Sequence, residues 1–333
     1  MIDTIYVERD IQKHPRSQRI LDRFPDAIRI EIDTYGEVFN RRSQNFRLQK
    51  RKPALILAAK HSGQVLPAPP GYGIGSAHNY YFSHMLNCLY DCRYCFLQGL
   101  FQSAHYVLFV NYEAFLEEIE KRLAEHEGTP MTFFSGYDCD SLALESVTGF
   151  VTEVLPFFRT HPQAILELRT KSIQIQPLLK EAPLENGVVA FSLTPHRVAQ
   201  RIEHRAPSVR RRIEAMTQLA HHGWSIGLRF DPLIHGVDWQ EQYLRLFDEV
   251  FQRIPSQRIH SVSYGPMRFP KAMFRDIARL YPQEPLFAAS VATENGMASY
   301  PQDIEDEMTA FCRKHLQERL PSSIFFQCIP ESR

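Results

Sequence analysis

Short apolar segments alternate with helical segments through the middle of this chain of 333 residues. The apolar segments are nearly continuous, and we predict strands at 106–110, 131–134, 164–169, 188–193, 226–230 and 259–264. Helical periodicity predicts helices at 112–126, 141–158, 198–202, 209–222, 239–253 and 271–281. This order is typical of a parallel β-sheet covered by helices, so the predicted fold class is α/β.

Polar or reactive residues follow most of these predicted strands. They occupy 135–140, 169–171, 192–194, 231–232 and 264–265. In parallel α/β sheets and barrels, ligands bind at the carboxyl ends of the strands. We therefore predict that these segments face one common site.

Three cysteines, Cys88, Cys92 and Cys95, form a CxxxCxxC run after another predicted strand near 80–82. Three thiolates so close in sequence can hold three irons of a [4Fe–4S] cluster. The fourth iron then has no protein ligand and is open to a substrate or cofactor. The spacing therefore predicts chemistry rather than a purely structural site.

Other kinds of site can also contain three cysteines. A structural zinc site needs four ligands in paired spacing, and His84 is available as a fourth ligand. Ferredoxin-type runs supply four cysteines to each cluster. A disulfide with one buried thiol suits a small secreted domain better than a chain of this length. The iron–sulfur interpretation is the one that the spacing favours.

The composition, with 44% hydrophobic and 23% charged residues, is that of an ordinary globular protein. The net charge is zero, which excludes a global attraction to nucleic acid or to anionic membranes. The first residues lack the pattern of a signal peptide, and no apolar run approaches the length of a membrane span. We expect a cytoplasmic protein without a membrane partner, whose six cysteines are ligands or buried thiols.

Two segments are strongly basic despite the neutral total. The first carries Arg41, Arg42, Arg47, Lys50, Arg51, Lys52 and Lys60. The second carries Arg197, Arg201, Arg205, Arg210, Arg211 and Arg212 against the single acid Glu203. Each segment is a candidate phosphate-contacting surface. Taken alone, each is also explained by a solvated loop or helix face.

The chain divides into three predicted parts. A stretch rich in proline and glycine at 67–75 separates the first part from the cysteines. We predict an N-terminal extension at 1–76 that packs on a barrel, a barrel core at 77–282 and a C-terminal segment at 283–333.

The cysteine run at the start of a (β/α) barrel resembles the radical S-adenosylmethionine superfamily, and within it the spore photoproduct lyase family. Segments that carry the resemblance lie at 5–8, 88–98, 133–148, 168–171, 191–193, 212–215, 231–243 and 268–271. They are collinear over nearly the whole chain. The resemblance implies a partial, open parallel (β/α) barrel of the radical SAM type with an N-terminal extension.

The resemblance also implies an activity. A [4Fe–4S] cluster binds S-adenosylmethionine, and one electron cleaves it to a 5′-deoxyadenosyl radical. This radical starts the repair of a thymine lesion, so the implied partners are DNA and an external one-electron reductant such as flavodoxin or ferredoxin. Two alternatives stay open: a radical SAM enzyme for another nucleotide or small molecule, and a non-enzymatic iron–sulfur protein that binds nucleic acid.

Residue by residue, the resemblance assigns the cluster to Cys88, Cys92 and Cys95. It assigns contacts with S-adenosylmethionine to Ser135, Gly136, Lys171 and Ser192. Without the resemblance, Lys171 would be interpreted as a solvated lysine at a helix start, and Ser192 as a helix cap.

Three departures from the family pattern concern the substrate. A tyrosine that follows the third cluster cysteine is replaced by Phe96, which has no O–H to donate, whereas the neighbouring Tyr94 is retained. Tyr137 occupies the position of a hydrogen-donating cysteine, and Cys139 follows two residues later. Tyr94, Tyr137 and Cys139 are therefore the candidate catalytic residues. A basic hairpin of the family corresponds to 286–300, which contains no Lys or Arg.

Overall fold

The structure, a computed structural model, describes residues 2–288, 291–294 and 296–327. Its strands are β1 Thr4–Glu8, β2 Ile28–Ile32, β3 Leu55–Ala58, β4 Leu66–Pro67, β5 His78–Phe82, β6 Met85–Leu86, β7 Asp91–Cys92, β8 Tyr106–Phe109, β9 Met131–Ser135, β10 Ala164–Thr170, β11 Gly187–Ser192, β12 Glu203–His204, β13 Ser225–Leu233, β14 Ile259–Pro266, β15 Arg268–Pro270, β16 Ala292–Glu294, β17 Met297–Ser299 and β18 Phe325–Gln327.

The α-helices lie between these strands. They are α1 Pro15–Leu21, α2 Phe46–Arg51, α3 Leu97–Leu100, α4 Tyr112–Glu125, α5 Glu145–Thr148, α6 Phe150–Thr160, α7 Gln176–Lys180, α8 His196–Ile202, α9 Val209–His222, α10 Trp239–Arg253, α11 Lys271–Leu280 and α12 Gln302–Gln317. None of the helices in the described part of the chain combines the length and the apolar character that a membrane span requires.

The larger sheet is an open half-barrel with the strand order β4-β5-β9-β10-β11-β13-β14-β18. All neighbours from β5 to β18 are parallel, and β4 is antiparallel to β5. Every residue of β9 and β11 is buried, as expected for strands covered on both faces. Helices α6, α9 and α12 pack against β10, β13 and β14. The predicted open barrel is confirmed.

A second sheet has the strand order β2-β1-β3-β8-β6. The predicted strand at 106–110 exists as β8, but it pairs with β3 in this second sheet and not in the barrel. The apolar pattern indicated a strand without indicating its partner. Because β6 and β8 flank the cysteines in sequence, this sheet holds both ends of the cysteine segment. The division into 1–76, 77–282 and 283–333 stays a prediction, and residues 328–333 lie outside the described part.

The predicted helix at 141–158 is wrong in two respects, because it starts only at Glu145 and is interrupted. Helix α5 ends at Gly149, which adopts a left-handed conformation with φ of 60°, and α6 starts directly afterwards. Glycine adopts this conformation without the steric cost that other residues meet. Residues 136–144, between β9 and α5, form bends and turns.

Candidate active site

The three cysteines lie in one loop between β6 and α3. Inside the loop, β7 pairs antiparallel with β12, which places Cys92 opposite Glu203. The backbone N–H of Arg93 donates to the carbonyl of Ile202 at 2.8 Å, and the N–H of Cys95 donates to the carbonyl of Cys92 at 3.1 Å. A segment more than 100 residues downstream therefore fixes the loop.

The three thiols are free and sheltered. Cys92 is buried, and Cys88 and Cys95 are half-buried. Burial raises the pKa of all three thiols, in the case of Cys88 to about 12. They therefore stay protonated until a metal displaces the proton.

Among the residues that the structure describes, no group of three His, Cys, Asp or Glu side chains is placed to hold one metal ion. The three thiolates of a cubane cluster bind three different irons, so they do not need to converge on one point. His84 stacks on Phe150 with ring centroids 3.9 Å apart, and burial lowers its pKa to about 3. It therefore packs as a neutral aromatic ring.

Ser135 ends β9, next to β5 and β10, and Gly136 follows it directly. The hydroxyl oxygen of Ser135 is buried and has no hydrogen-bond partner in the structure. Gly136 has φ of 83°, and a Cβ there would lie 2.9 Å from the backbone nitrogen of Ser141. The end of β9 thus combines an unpaired hydroxyl with a following residue whose positive φ favours glycine.

Asp140 connects this strand end to the next one. Its carboxylate accepts hydrogen bonds from the Thr170 hydroxyl and from the Lys171 backbone N–H, both at 2.6 Å. The Lys171 ammonium lies 5.3 Å from the centroid of the Tyr94 ring. Asp140 was not a candidate from the sequence, although it stands in a polar segment that follows a strand. The structure brings Lys171 to the cysteine loop.

Tyr94 belongs to a buried polar network. Its hydroxyl donates to the Glu203 carboxylate, which also accepts from the Thr194 hydroxyl at 3.0 Å and pairs with Arg212. Burial and the Glu203 carboxylate raise the pKa of Tyr94. The pKa of Glu203 is lowered although burial opposes the change, because the Arg212 guanidinium stabilises the carboxylate.

The same arginine reaches Ser192, the candidate at the end of β11. Arg212 donates to the Ser192 carbonyl at 3.0 Å. Arg212 is buried, so it does not belong to a basic surface. No pattern in the sequence indicates this burial, since a run of arginines on a helix is usually solvated.

Tyr137 lies in an aromatic cluster with Tyr72, Tyr81 and Phe96. Its ring centroid is 4.3 Å from that of Tyr81, 5.5 Å from that of Phe96 and 5.9 Å from that of Tyr72. Burial raises the pKa of Tyr137. Phe96 and Tyr137, the two single residues that depart from the family pattern, are therefore in contact.

Cys139 lies elsewhere. Its side chain is buried in the second hydrophobic cluster, together with Leu57 and Leu108 of the N-terminal sheet and with Leu144. Burial raises the pKa of its thiol well above the ordinary value. Of the two alternative hydrogen donors, Tyr137 thus contacts the ring of Phe96, whereas Cys139 packs in the second cluster, where Cys88 also raises the pKa of its thiol.

A cavity of about 210 Å³ opens beside these residues. Its lining comprises Tyr72, Tyr94, Phe96, Asp231, Pro232, Gly265, Pro266, Met267, Arg268 and Phe269. Asp231 pairs with Arg169 at 2.6 Å and accepts from the Ser263 hydroxyl at 3.1 Å. The ends of β13 and β14 therefore line this cavity, and Arg169 at the end of β10 reaches it through Asp231. None of the lining residues comes from β9 or β11, so a common site for all the predicted strand ends stays a prediction.

Comparison with known proteins decides the family. A sequence model described as spore photoproduct lyase matches residues 1–323. This chain belongs to the spore photoproduct lyase family. The spore photoproduct lyase of Bacillus subtilis is 24% identical over 289 residues, which cover 85% of this chain and 83% of that protein. The protein of the same name from a Geobacillus strain is 20% identical with the same coverage.

Solved structures of this family share the fold. A spore photoproduct lyase mutant with bound AdoMet and dinucleoside spore photoproduct superimposes with a TM-score of 0.84 at 17% identity. A spore photoproduct lyase complexed with dinucleoside spore photoproduct superimposes with a TM-score of 0.82 at 18% identity. Each comparison covers 99% of this chain and 98% of the other chain. The predicted family is confirmed, and the assignments of individual site residues stay predictions.

The hairpin at 286–300, where the family pattern has basic residues, contains β16 and β17. Strand β17 also pairs with β15, and the register places Ser299 opposite Arg268. Arg268 lines the cavity. In the described residues of this small sheet, the positive charge at the cavity thus comes from β15 and not from the hairpin.

Proposed function

We propose that this chain is a radical S-adenosylmethionine lyase that repairs a thymine lesion in DNA. One observation carries the proposal: three free cysteines share one sheltered loop at the open half-barrel of a chain that belongs to the spore photoproduct lyase family. The loop lies beside the polar strand ends that line the cavity.

The residues at the strand ends suit the cofactors that the family implies. Cys88, Cys92 and Cys95 would hold the [4Fe–4S] cluster, which, when reduced, supplies the electron that converts S-adenosylmethionine to a 5′-deoxyadenosyl radical. The unpaired Ser135 hydroxyl can accept from the methionine ammonium, and Gly136 permits the turn that follows it, because a Cβ there would collide with Ser141. The Lys171 ammonium is a point charge for the methionine carboxylate.

Ser192 is assigned a contact with the ribose side of the cofactor. Its carbonyl is occupied by Arg212, which fixes the end of β11 and leaves the serine side chain as the group available to a ligand. The buried strand ends also exclude water, which protects a reactive radical.

Tyr137 is the hydrogen donor in the proposed reaction. The Phe96 ring has no O–H, and the Tyr94 hydroxyl already donates to the Glu203 carboxylate. The Cys139 thiol packs in the second hydrophobic cluster. Hydrogen return would break the O–H bond of Tyr137, and one electron from the reductant and one proton would restore it. Tyr94 would act by holding the cysteine loop against β12.

DNA and an electron carrier are the partners that this function needs. The exposed arginines of the two basic segments support DNA binding through phosphate contacts. Among the described residues, Lys50 and Arg212 are the members of these segments that are buried. A flavodoxin or ferredoxin would supply the single electron.

The test is an anaerobic assay with reconstituted protein, S-adenosylmethionine, a chemical reductant and an oligonucleotide that carries spore photoproduct. We expect 5′-deoxyadenosine and restored thymine, and neither product from a Cys92→Ala variant. Absence of cofactor cleavage by protein that carries a full cluster would contradict the proposal and favour a non-enzymatic iron–sulfur protein.

A second candidate is a radical SAM enzyme that acts on another nucleotide or small molecule. The contact between Phe96 and Tyr137 favours it, because both residues replace groups with which the family moves hydrogen. In the same assay, 5′-deoxyadenosine without restored thymine would support this candidate.

A further inference from the structure

Lys50 lies at the end of α2 and is buried, with 7% of its surface exposed. Its ammonium donates to the carbonyl of Cys88 at 3.0 Å and to the carbonyl of Tyr90 at 3.3 Å. Both carbonyls belong to the cysteine loop. The lysine therefore connects α2 to the loop, and it is not among the residues that line the cavity.

Among the described residues, no Asp or Glu carboxylate lies within 4.0 Å of the Lys50 ammonium. The nearby carboxylate of Asp91 pairs instead with Arg93 at 2.7 Å. A buried charge normally requires a partner of opposite charge, because its desolvation is costly.

We propose that Lys50 is a positioning residue for the iron–sulfur site, which holds the loop through two carbonyls and balances the negative charge of the cluster. This inference rests on the proposed function. A [4Fe–4S] cluster with three thiolates is a net anion, and it becomes more negative when it accepts an electron. A fixed positive charge nearby favours the reduced form, so Lys50 raises the midpoint potential.

A purely mechanical tie between α2 and the loop is the competing explanation, and substitutions separate the two. Lys50→Arg keeps the charge and the donors. Lys50→Gln keeps a donor and removes the charge, and Lys50→Met removes both. Lys52→Gln is the matched control, since Lys52 is two residues away, exposed and paired with Asp3 at 2.6 Å.

The experiment uses the full chain, reconstituted anaerobically, without S-adenosylmethionine or DNA. A redox titration followed by electron paramagnetic resonance gives the midpoint potential, and a chelator assay gives the rate of iron loss. We expect a more negative midpoint potential in Lys50→Gln and Lys50→Met, a wild-type value in Lys52→Gln and a value near wild type in Lys50→Arg. Iron loss from Lys50→Met should be about ten-fold faster or more.

A wild-type potential in both neutral variants would overturn the inference and leave Lys50 as a mechanical tie. If a neutral variant assembles no cluster, thermal unfolding of the metal-free chains shows whether that variant folds. If metal-free Lys50→Met is unfolded while metal-free wild type is folded, the lysine belongs to the fold and the inference is wrong. If wild type itself assembles no cluster, the proposed function fails instead.

Discussion

Gly136 shows how a single residue shapes the candidate cofactor site. It follows β9 directly, with φ of 83°, and the space that its Cβ would occupy is taken by Ser141. Ser141 in turn donates from its hydroxyl to the Ser135 carbonyl at 2.9 Å. The absence of a side chain at this position therefore permits the turn that leaves the Ser135 hydroxyl unpaired.

Gly136→Ala should destabilise the chain by about 1–3 kcal/mol, because a non-glycine residue is strained at this φ and its Cβ collides with backbone. Urea unfolding measures the change. Gly128→Ala is the control, since Gly128 has φ of 77° with no atom within 4 Å of its Cβ position. The control should lose less stability, and an equal loss in both variants would mean that the collision with Ser141 is relieved at no cost.

Tyr137→Phe should keep 5′-deoxyadenosine formation and lose most of the restored thymine, because phenylalanine cannot return a hydrogen atom. Product analysis by mass spectrometry checks this. Cys139→Ala should leave the product ratio unchanged and cost about 1 kcal/mol of stability, as expected for a buried core residue. The opposite pattern, with thymine lost only in Cys139→Ala, would make the cysteine the donor.

Two residues show the limit of sequence reasoning at this scale. Lys50 and Arg212 stand in runs of basic residues, which usually form solvated surfaces, yet both are buried. The partners of Lys50 are carbonyls of the cysteine loop, which is distant in sequence. The partner of Arg212 is Glu203 in the same segment, and nothing in the sequence shows that both are buried. The three cysteines and Lys171 were recognisable because their spacing and their resemblance to a family do not depend on such contacts.

At the scale of elements, the long helices and the barrel strands could be predicted. Helix α10 has the predicted bounds, and β10 and β14 extend the predicted strands by one and two residues. Apolar periodicity suffices there because each element buries one continuous face. The two-residue strands β7 and β12 could not be predicted, since they carry no periodicity and exist through their mutual pairing.

The junction of α5 and α6 predicts a dependence of stability on pH. Burial raises the pKa of Glu145 from 4.5 to about 7, although its carboxylate accepts from the Val151 N–H at 3.1 Å. The stabilising contribution of the protonated group is complete below pH 4.5 and is lost as the pH rises through 7. The free energy of unfolding should therefore fall between pH 5 and 8, by an amount on the order of 2 kcal/mol.

Glu145→Gln should remove this part of the pH dependence, because the amide does not ionise. Urea unfolding at several pH values measures it, with Glu120→Gln on the exposed face of α4 as the control. An unchanged slope in Glu145→Gln would assign the pH dependence to another group.

At the scale of the whole molecule, both basic segments contact the cysteine loop. One does so through Lys50 of α2, and the other through β12. Their exposed arginines are therefore the candidate DNA-contacting surface, although the net charge of the chain is zero.

Reversing charge on this surface should weaken DNA binding. Arg210→Glu combined with Arg211→Glu should reduce affinity for duplex DNA of any sequence. The slope of log affinity against log salt should become shallower by about one for each phosphate that the protein no longer neutralises. Fluorescence anisotropy measures both, and Lys121→Glu on α4 is the control. Unchanged affinity and slope would exclude the second segment from the DNA interface.

The pairing of β7 with β12 has a consequence for biosynthesis. The cysteine loop acquires its shape from residues 203–204, so a nascent chain that has not yet emerged beyond them cannot present the three thiols in their final arrangement. The cluster of the proposed function would therefore be assembled only after more than half of the polypeptide has left the ribosome, on thiols that still carry their protons.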